Sequence, residues 1–398
     1  MNRRSFIKTT GLATATLCVP QFIKATENTP LQKNTGKKLI VVQLTGGNDG
    51  LNTVIPYNDD AYYRARPTIA IKKNDALPLS DELGLNSALA GFKTQYDNGN
   101  MCLINNVGYP DPDRSHFRSM DIWQTASGSN EYISSGWLGR YLDVIATSNI
   151  HLTQLIEIDD TLSLALRGVY NNGLALKDPK KLFDVISDPF IKELGKLHPN
   201  TTHYHDNASY LYDTLASTIS SAQYLYNTSK IYKSAASYPN HSFGKSMKTI
   251  SELIISGVDT NIYYVSLGGF DTHFNQVKRQ TTLLQQLSET INVFMNDMKT
   301  NGRAKDILLM TFSEFGRRVQ ENASEGTDHG TANQMFLFGE GLKKNGVYND
   351  APNLSDLDNG DLKYTTDFRS VYATILNKWL NTPAQQILHD DFPQLNFL

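Results

Sequence analysis

Residues 307–330, ILLMTFSEFGRRVQENASEGTDHG, constrain the fold more than any other stretch: an unbroken apolar run stops abruptly and acid, arginine, glycine and histidine follow at once. Ile307 to Thr311 is too short for a helix and lacks the alternation of a half-buried strand. It therefore reads as a strand covered on both faces, as in a parallel sheet. The same grammar recurs in Lys38 to Leu44 (KLIVVQL, then TGGNDGLN), Met101 to Val107 (MCLINNV, then GYPDPDRSHF) and Asn261 to Leu267 (NIYYVSL, then GGFDTHFNQ). Ile150 to Ile158 and Gln334 to Phe338 read as further strands. Parallel strands need crossovers, and Thr281 to Asn301 supplies one, with Leu283, Leu284, Leu287, Ile291, Phe294 and Met298 at helical spacing. The pattern predicts an α/β fold with a doubly wound, mostly parallel sheet, whose sites lie beyond the carboxyl ends of the strands.

The polar loops at those ends hold the candidate chemistry. Glu314 stands where a ligand carboxylate belongs, although a Glu before a Gly turn also serves as a cap or surface charge. Arg317 and Arg318 are placed to hold an oxyanion. Asp328 and His329 offer an oxygen and a nitrogen ligand within two residues, and Asp271 and His273, one residue apart, project to one side of an extended chain. Asp49 at the tip of TGGNDGLN reaches the same rim if the first strand neighbours that of Glu314; closing an Asx turn is its simpler role. Ser115 and His116 mark a loop-to-helix step where amides favour anions. Ser115 fits either a nucleophile or an ordinary N-cap, the cap being the simpler reading, and His116 either the chemistry or a packed side chain. Gly46, Gly47 and Gly50 do not have the spacing of a dinucleotide fingerprint. Asp367 is most simply the N-cap of a closing helix over Ser370 to Leu380.

With 398 residues, 40% hydrophobic and 19% charged, the chain has the apolar content for one large core or two smaller ones. Its formal net charge of −3 gives no pull toward nucleic acid. Its two cysteines, Cys18 and Cys102, exclude a disulfide framework within the monomer. Arg3 and Arg4 precede a modestly apolar run from Thr9 to Pro20 and a cleavable region near Ala25, so residues 1–27 read as a twin-arginine signal peptide. That places the protein in the periplasm or outside the cell, with no integral membrane span in the mature chain. Residues 36–398 then form one α/β domain. Residues 178–243, rich in Tyr, Ser, Asn and Lys with helical stretches, read as an inserted helical lid, suited to a sugar or polymer surface or to plain packing.

Taken in order, GGNDGLN, DRSHF, GGFDTHFNQ, SEFGRR, GTDHG and DFRSVYATIL closely resemble the domain-of-unknown-function 1501 family, which in turn resembles a distant branch of the alkaline phosphatase and sulfatase superfamily. The resemblance implies an alkaline-phosphatase-like fold and a two-metal phospho- or sulfo-ester site. It places Asp49, Asp271, His273, Glu314 and His329 as metal ligands, with Asp328 replacing the histidine that the superfamily has where Phe315 stands here. The site so implied is that of an exported metal-dependent hydrolase of phosphate or sulfate esters. Its ion would be divalent, zinc fitting best, with manganese, magnesium or calcium as alternatives. Its substrate would be an anionic ester or polysaccharide, attacked by Ser115 or a metal-bound hydroxide with Arg317 steadying the anion. The competing reading is a non-catalytic exported protein that binds a polymer or protein partner.

Overall fold

The computed structural model describes residues 36–145, 152–195 and 207–398; the expected signal peptide, residues 1–27, and Cys18 lie outside them. Six strands build the centre of the sheet: β1 (Lys38–Thr45), β2 (Met101–Gly108), β3 (Leu155–Glu157), β5 (Ile262–Gly268), β6 (Ile307–Phe312) and β7 (Asn333–Phe338). The two-residue strands β4 (Leu174–Ala175), β8 (Gly346–Val347) and β9 (Thr366–Asp367) finish it. The order is β8-β2-β7-β6-β1-β5-β3-β4, with β9 added to β2. Only β7 runs against its neighbours. The mostly parallel α/β architecture expected from the apolar runs is therefore the one observed.

The antiparallel β7 gathers the polar loops at one edge. The chain leaves β6 at its carboxyl end, makes an excursion through residues 313–332, and re-enters the sheet from that same edge. Glu314 and His329 thus belong to one edge, shared with the loops after β1, β2 and β5.

Helices cover both faces: α1 (Asp60–Ala65), α2 (Ala90–Asp97), α3 (His116–Thr125), α4 (Trp137–Ile145), α5 (Pro179–Ile186), α6 (Pro189–Gly195), α7 (Asn207–Thr228), α8 (Ser242–Ile255), α9 (Gln276–Thr300) and α10 (Phe368–Thr374). Because strand side chains alternate, Ile40, Val42 and Leu44 of β1 face one core with Phe243, Ile250, Leu284 and Ile291 of α8 and α9. Leu39 and Val41 face the other, with Trp123, Trp137, Phe368 and Tyr372. Each fully buried Leu, Ile or Phe contributes about 1.5–3 kcal/mol. Trp123 is stacked between Phe312 and Phe368, at centroid distances of 5.3 and 4.3 Å, and this fixes α3 against the sheet end that bears the site.

Several expected boundaries shift for local reasons. A helix begins only at Ala90 in this region, because Gly84–Asn86 pairs as a short strand and the Asn86 side chain accepts from the Ala88 N–H. The strand expected from Ile150 narrows to Leu155–Glu157 within the described residues. Asp367 is an N-cap as expected, accepting from the Arg369 N–H at 2.9 Å, but the helix it starts turns into a π-helix over Ile375–Trp379. In the insertion, Phe183 of α5 stacks on Tyr226 of α7 at 4.0 Å. The hydroxyl of Tyr224 accepts from the Asp259 N–H, just before β5 begins. That contact ties the insertion to the amino edge of the sheet, the end opposite the candidate site. No helix among the described residues is long and apolar enough to cross a membrane, and Cys102 is a buried free thiol.

Glu157 at the end of β3 gives a stability prediction. Burial pushes its carboxyl up to about 7, against hydrogen bonds from the Ser163 hydroxyl and N–H. The unfolded carboxyl titrates near 4.3, so between roughly pH 4 and 7 the folded chain holds a proton that the unfolded chain has lost. The contribution is therefore full at low pH and is lost as pH rises through 7. Between pH 5 and 8 the wild type should lose about 3 kcal/mol relative to Glu157→Gln, read from urea midpoints at the two pH values. Parallel pH curves for the two proteins would refute it.

Candidate metal centre

Four loops meet at the carboxyl edge. Two glycines let them approach: Gly46 has φ +118° and its missing Cβ would stand 2.4 Å from the Asp271 nitrogen, and Gly47 has φ +73° with Phe315 2.2 Å from the corresponding point. A side chain at either position would separate the β1 loop from those after β5 and β6.

The ligand atoms of His116, Asp271 and His329 lie within 4.8 Å of one another. His273 Nε2 joins them, 3.0 Å from His329 Nε2 and 3.0 Å from Asp271 Oδ1. Asp271 Oδ1 is also 3.4 Å from His329 Nε2 and 3.6 Å from His116 Nε2. Each imidazole is held from behind through Nδ1: His116 by Glu314 Oε1 at 2.9 Å, His273 by Asp328 Oδ1 at 3.1 Å, His329 by the Arg114 carbonyl at 2.8 Å. An acceptor at Nδ1 places the hydrogen there and leaves the Nε2 lone pair facing the cluster. His116 Nε2 is shielded from solvent and has no hydrogen-bond partner at all.

The electrostatics arise from these contacts. The Glu314 hydrogen bond raises the His116 pKa, while burial lowers that of His329. Burial works to raise the Asp271 carboxyl, yet the hydrogen bond and charge of Arg317 outweigh it and hold the group below its usual range. Asp328 is lowered by its hydrogen bond from Asn322 and by His273.

The arrangement redistributes the roles expected from sequence. Asp271, His273 and His329 come together as donors, and His116 joins them. Glu314, expected as a ligand, is fully buried behind His116, its Oε1 also accepting from the Gly46 N–H at 2.8 Å. Asp328, expected as a ligand, backs His273 instead. Asp49 is not brought to the cluster: it forms a buried ion pair with Arg66 at 2.6 and 3.0 Å and also accepts from Gln276 and the Leu51 N–H. Arg317, expected to grip the substrate, is 2% exposed. Its N–H groups go to the carbonyls of Gly46, Gly47, Phe270 and Thr327 and to Asp271, so it clamps the loops together rather than facing a ligand. Ser115 sits at the N-cap position of α3 but its hydroxyl makes no capping bond; Asp113 Oδ1 accepts from its N–H instead, at 2.6 Å. The hydroxyl is exposed, one residue from His116. Gln276 was not visible in the sequence as part of the site, yet its Oε1 accepts from Thr272 and Thr327, joining the loops that carry Asp271 and His329.

Solved structures that the chain resembles include three of low identity. The C-terminal periplasmic domain of EcEptC from Escherichia coli, in complex with Zn, is 10% identical with a TM-score of 0.37, over 78% of this chain and 76% of that one. The PsFucS1 sulfatase from Pseudoalteromonas sp. is 9% identical with a TM-score of 0.39, over 90% and 73%. The alkaline phosphatase from the Antarctic bacterium TAB5 is 10% identical with a TM-score of 0.32, over 77% and 92%. No curated protein sequence matches the chain. Residues 93–388 match the family described as protein of unknown function (DUF1501), and the chain belongs to that family.

Proposed function

We propose that this protein is an exported, metal-dependent hydrolase of phosphate or sulfate esters, with His116, Asp271, His273 and His329 holding one divalent ion. The observation that carries the reading is the set of three imidazoles whose Nδ1 atoms are anchored and whose Nε2 atoms turn toward one carboxylate oxygen. Two ligands at about 2.0–2.1 Å from a tetrahedral ion stand roughly 3.3 Å apart. The separations from Asp271 Oδ1, 3.0, 3.4 and 3.6 Å, lie near that spacing, while the ligand atoms of His116, Asp271 and His329 spread over up to 4.8 Å. The unpartnered His116 Nε2 supports the fit, since a buried nitrogen without a partner costs about 1–3 kcal/mol.

Three nitrogens and one oxygen suit zinc; magnesium and calcium prefer all-oxygen cages. When bound, the ion supplies Lewis acidity toward an anionic ester oxygen. The chain's own residues supply the rest. Ser115 offers a hydroxyl that makes no capping bond at the N-terminus of the ten-residue α3, where an anionic group is favoured, and is the side chain we assign to the attack, with the ester's alcohol as leaving group. His116, oriented by Glu314, and Asp271, oriented by Arg317, keep the rim fixed while substrate binds. Export rests on Arg3 and Arg4 and the apolar run after them.

The test is turnover of an aryl phosphate and an aryl sulfate by zinc-loaded protein, beside Ser115→Ala and Asp271→Ala. Ser115→Ala is expected to keep its zinc and lose at least about 100-fold in kcat, and Asp271→Ala to lose both. Zinc-loaded protein that turns over neither ester, nor any wider panel of phosphate and sulfate esters, would favour the binding-protein reading.

A further inference from the structure

We propose that Arg114 and Arg318 form a second anion subsite beside the histidine cluster, so that the substrate carries a further phosphate or sulfate besides the ester group to be cleaved. This rests on the hydrolase reading and names its substrate class: a polyanionic ester rather than a simple one.

The three arginines near the site divide their labour. Arg317 spends its N–H groups on carbonyls and Asp271. The side chains of Arg114 and Arg318 remain 41% and 35% exposed. Both turn to a single carboxylate, Asp361, which is fully buried: Arg114 bonds its Oδ2, and Arg318 Nε stands 3.8 Å from Oδ1, which makes no hydrogen bond. Among the described residues the one further bond of the Arg318 guanidinium is to the Asn359 carbonyl at 3.3 Å. A guanidinium carries five N–H donors, so two of them sharing one carboxylate and one carbonyl leave most donors facing solvent.

The pair is fastened to the backbone that carries the metal donors. The Arg114 carbonyl is the acceptor that orients His329. The Arg318 N–H donates to the Asp328 carbonyl at 3.0 Å, and Leu362, next to Asp361, accepts from the Thr331 hydroxyl at 2.6 Å. Two other acids lie nearby: Asp328, whose Oδ1 is engaged by His273 and Asn322, and Asp358, which pairs with Asp361 along a short ladder. Two guanidiniums share this one buried carboxylate, Asp361, and their fork geometry suits phosphate or sulfate oxygens. Burial, helped by the charge of Asp358, raises the Asp361 carboxyl against the lowering effect of the two arginines.

The test is calorimetric titration of zinc-loaded protein at about 0.15 M salt, so that exposed charges at a distance are screened. The ligands are glucose 6-phosphate against glucose 1,6-bisphosphate, and a monosulfated against a disulfated disaccharide, the two arms telling phosphate from sulfate. In at least one arm the doubly charged ligand should bind about 10-fold more tightly than its partner. The Arg114→Gln/Arg318→Gln double variant should lose that advantage while its zinc content and its affinity for the singly charged ligand stay within about twofold. Equal affinities in both arms of the wild type, or an advantage that survives in the double variant, overturn the subsite. If the wild type holds no zinc, the metal reading fails instead. The subsite then stands or falls on the zinc-free titration, in which the double variant must still weaken the doubly charged ligand.

Discussion

Asp49→Ala should destabilise the protein by about 3–5 kcal/mol while leaving its zinc stoichiometry intact. The sequence suggested the opposite, a ligand whose loss empties the site. The structure supplies the reason for the change of expectation: both Asp49 oxygens face the Arg66 guanidinium, and both side chains are almost completely buried, at 1% and 0% exposure. Removing the carboxylate strands a charge that burial has stripped of water. The remaining partners of Arg66, the Asn52 side chain and the carbonyls of Arg318 and Val319, are neutral and do not replace it. Breaking one half of a buried pair costs more than deleting both, so Asp49→Ala/Arg66→Met should recover part of the loss. Denaturant midpoints of the three proteins, with zinc measured on the same samples, decide it. A stable Asp49→Ala protein without zinc would make Asp49 a ligand after all.

Asp49 also shows how far the sequence was legible. The four apolar runs placed four of the central strands to within a residue or two, because a strand buried on both faces has no polar positions to blur its ends. Asp271, His273 and His329 were legible for a related reason: each sits just beyond a strand or between glycines, where a polar side chain has little else to do. Which carboxylates meet the histidine cluster was not legible. Asp49, Glu314 and Asp328 all stand in loops at the right edge, and whether such a group faces the ion or backs an imidazole depends on about 3 Å of displacement, which spacing along the chain does not encode. Arg66 and Gln276, which settle the role of Asp49, lie 17 and 227 residues from it. The orientation of β7 was likewise hidden, since an antiparallel strand of six buried residues reads the same as a parallel one. The opposed ends of α7's anchor and the histidine cluster come from tertiary packing alone.

The second large effect separates a ligand from the residue behind it. His116→Ala should weaken zinc binding by about 100-fold or more: structural zinc sites bind with roughly 10–16 kcal/mol, which averages to about 3 kcal/mol for each of four ligands. Glu314→Gln should weaken it by only about 10–100-fold. The glutamine oxygen can still accept from His116 Nδ1, at 2.9 Å in the native chain, so the ring keeps its tautomer and direction. It no longer carries the negative charge that makes the imidazole a stronger donor, and the same oxygen must still serve the Gly46 N–H. Both affinities can be read by competition with a chromogenic chelator, and both variants should fold, since the Trp123 stack that fixes α3 is untouched. The order of the two losses is decisive. If Glu314→Gln weakens zinc as much as His116→Ala does, the carboxylate itself binds the ion, and His116 Nε2 must answer for its buried, unpartnered position in some other way.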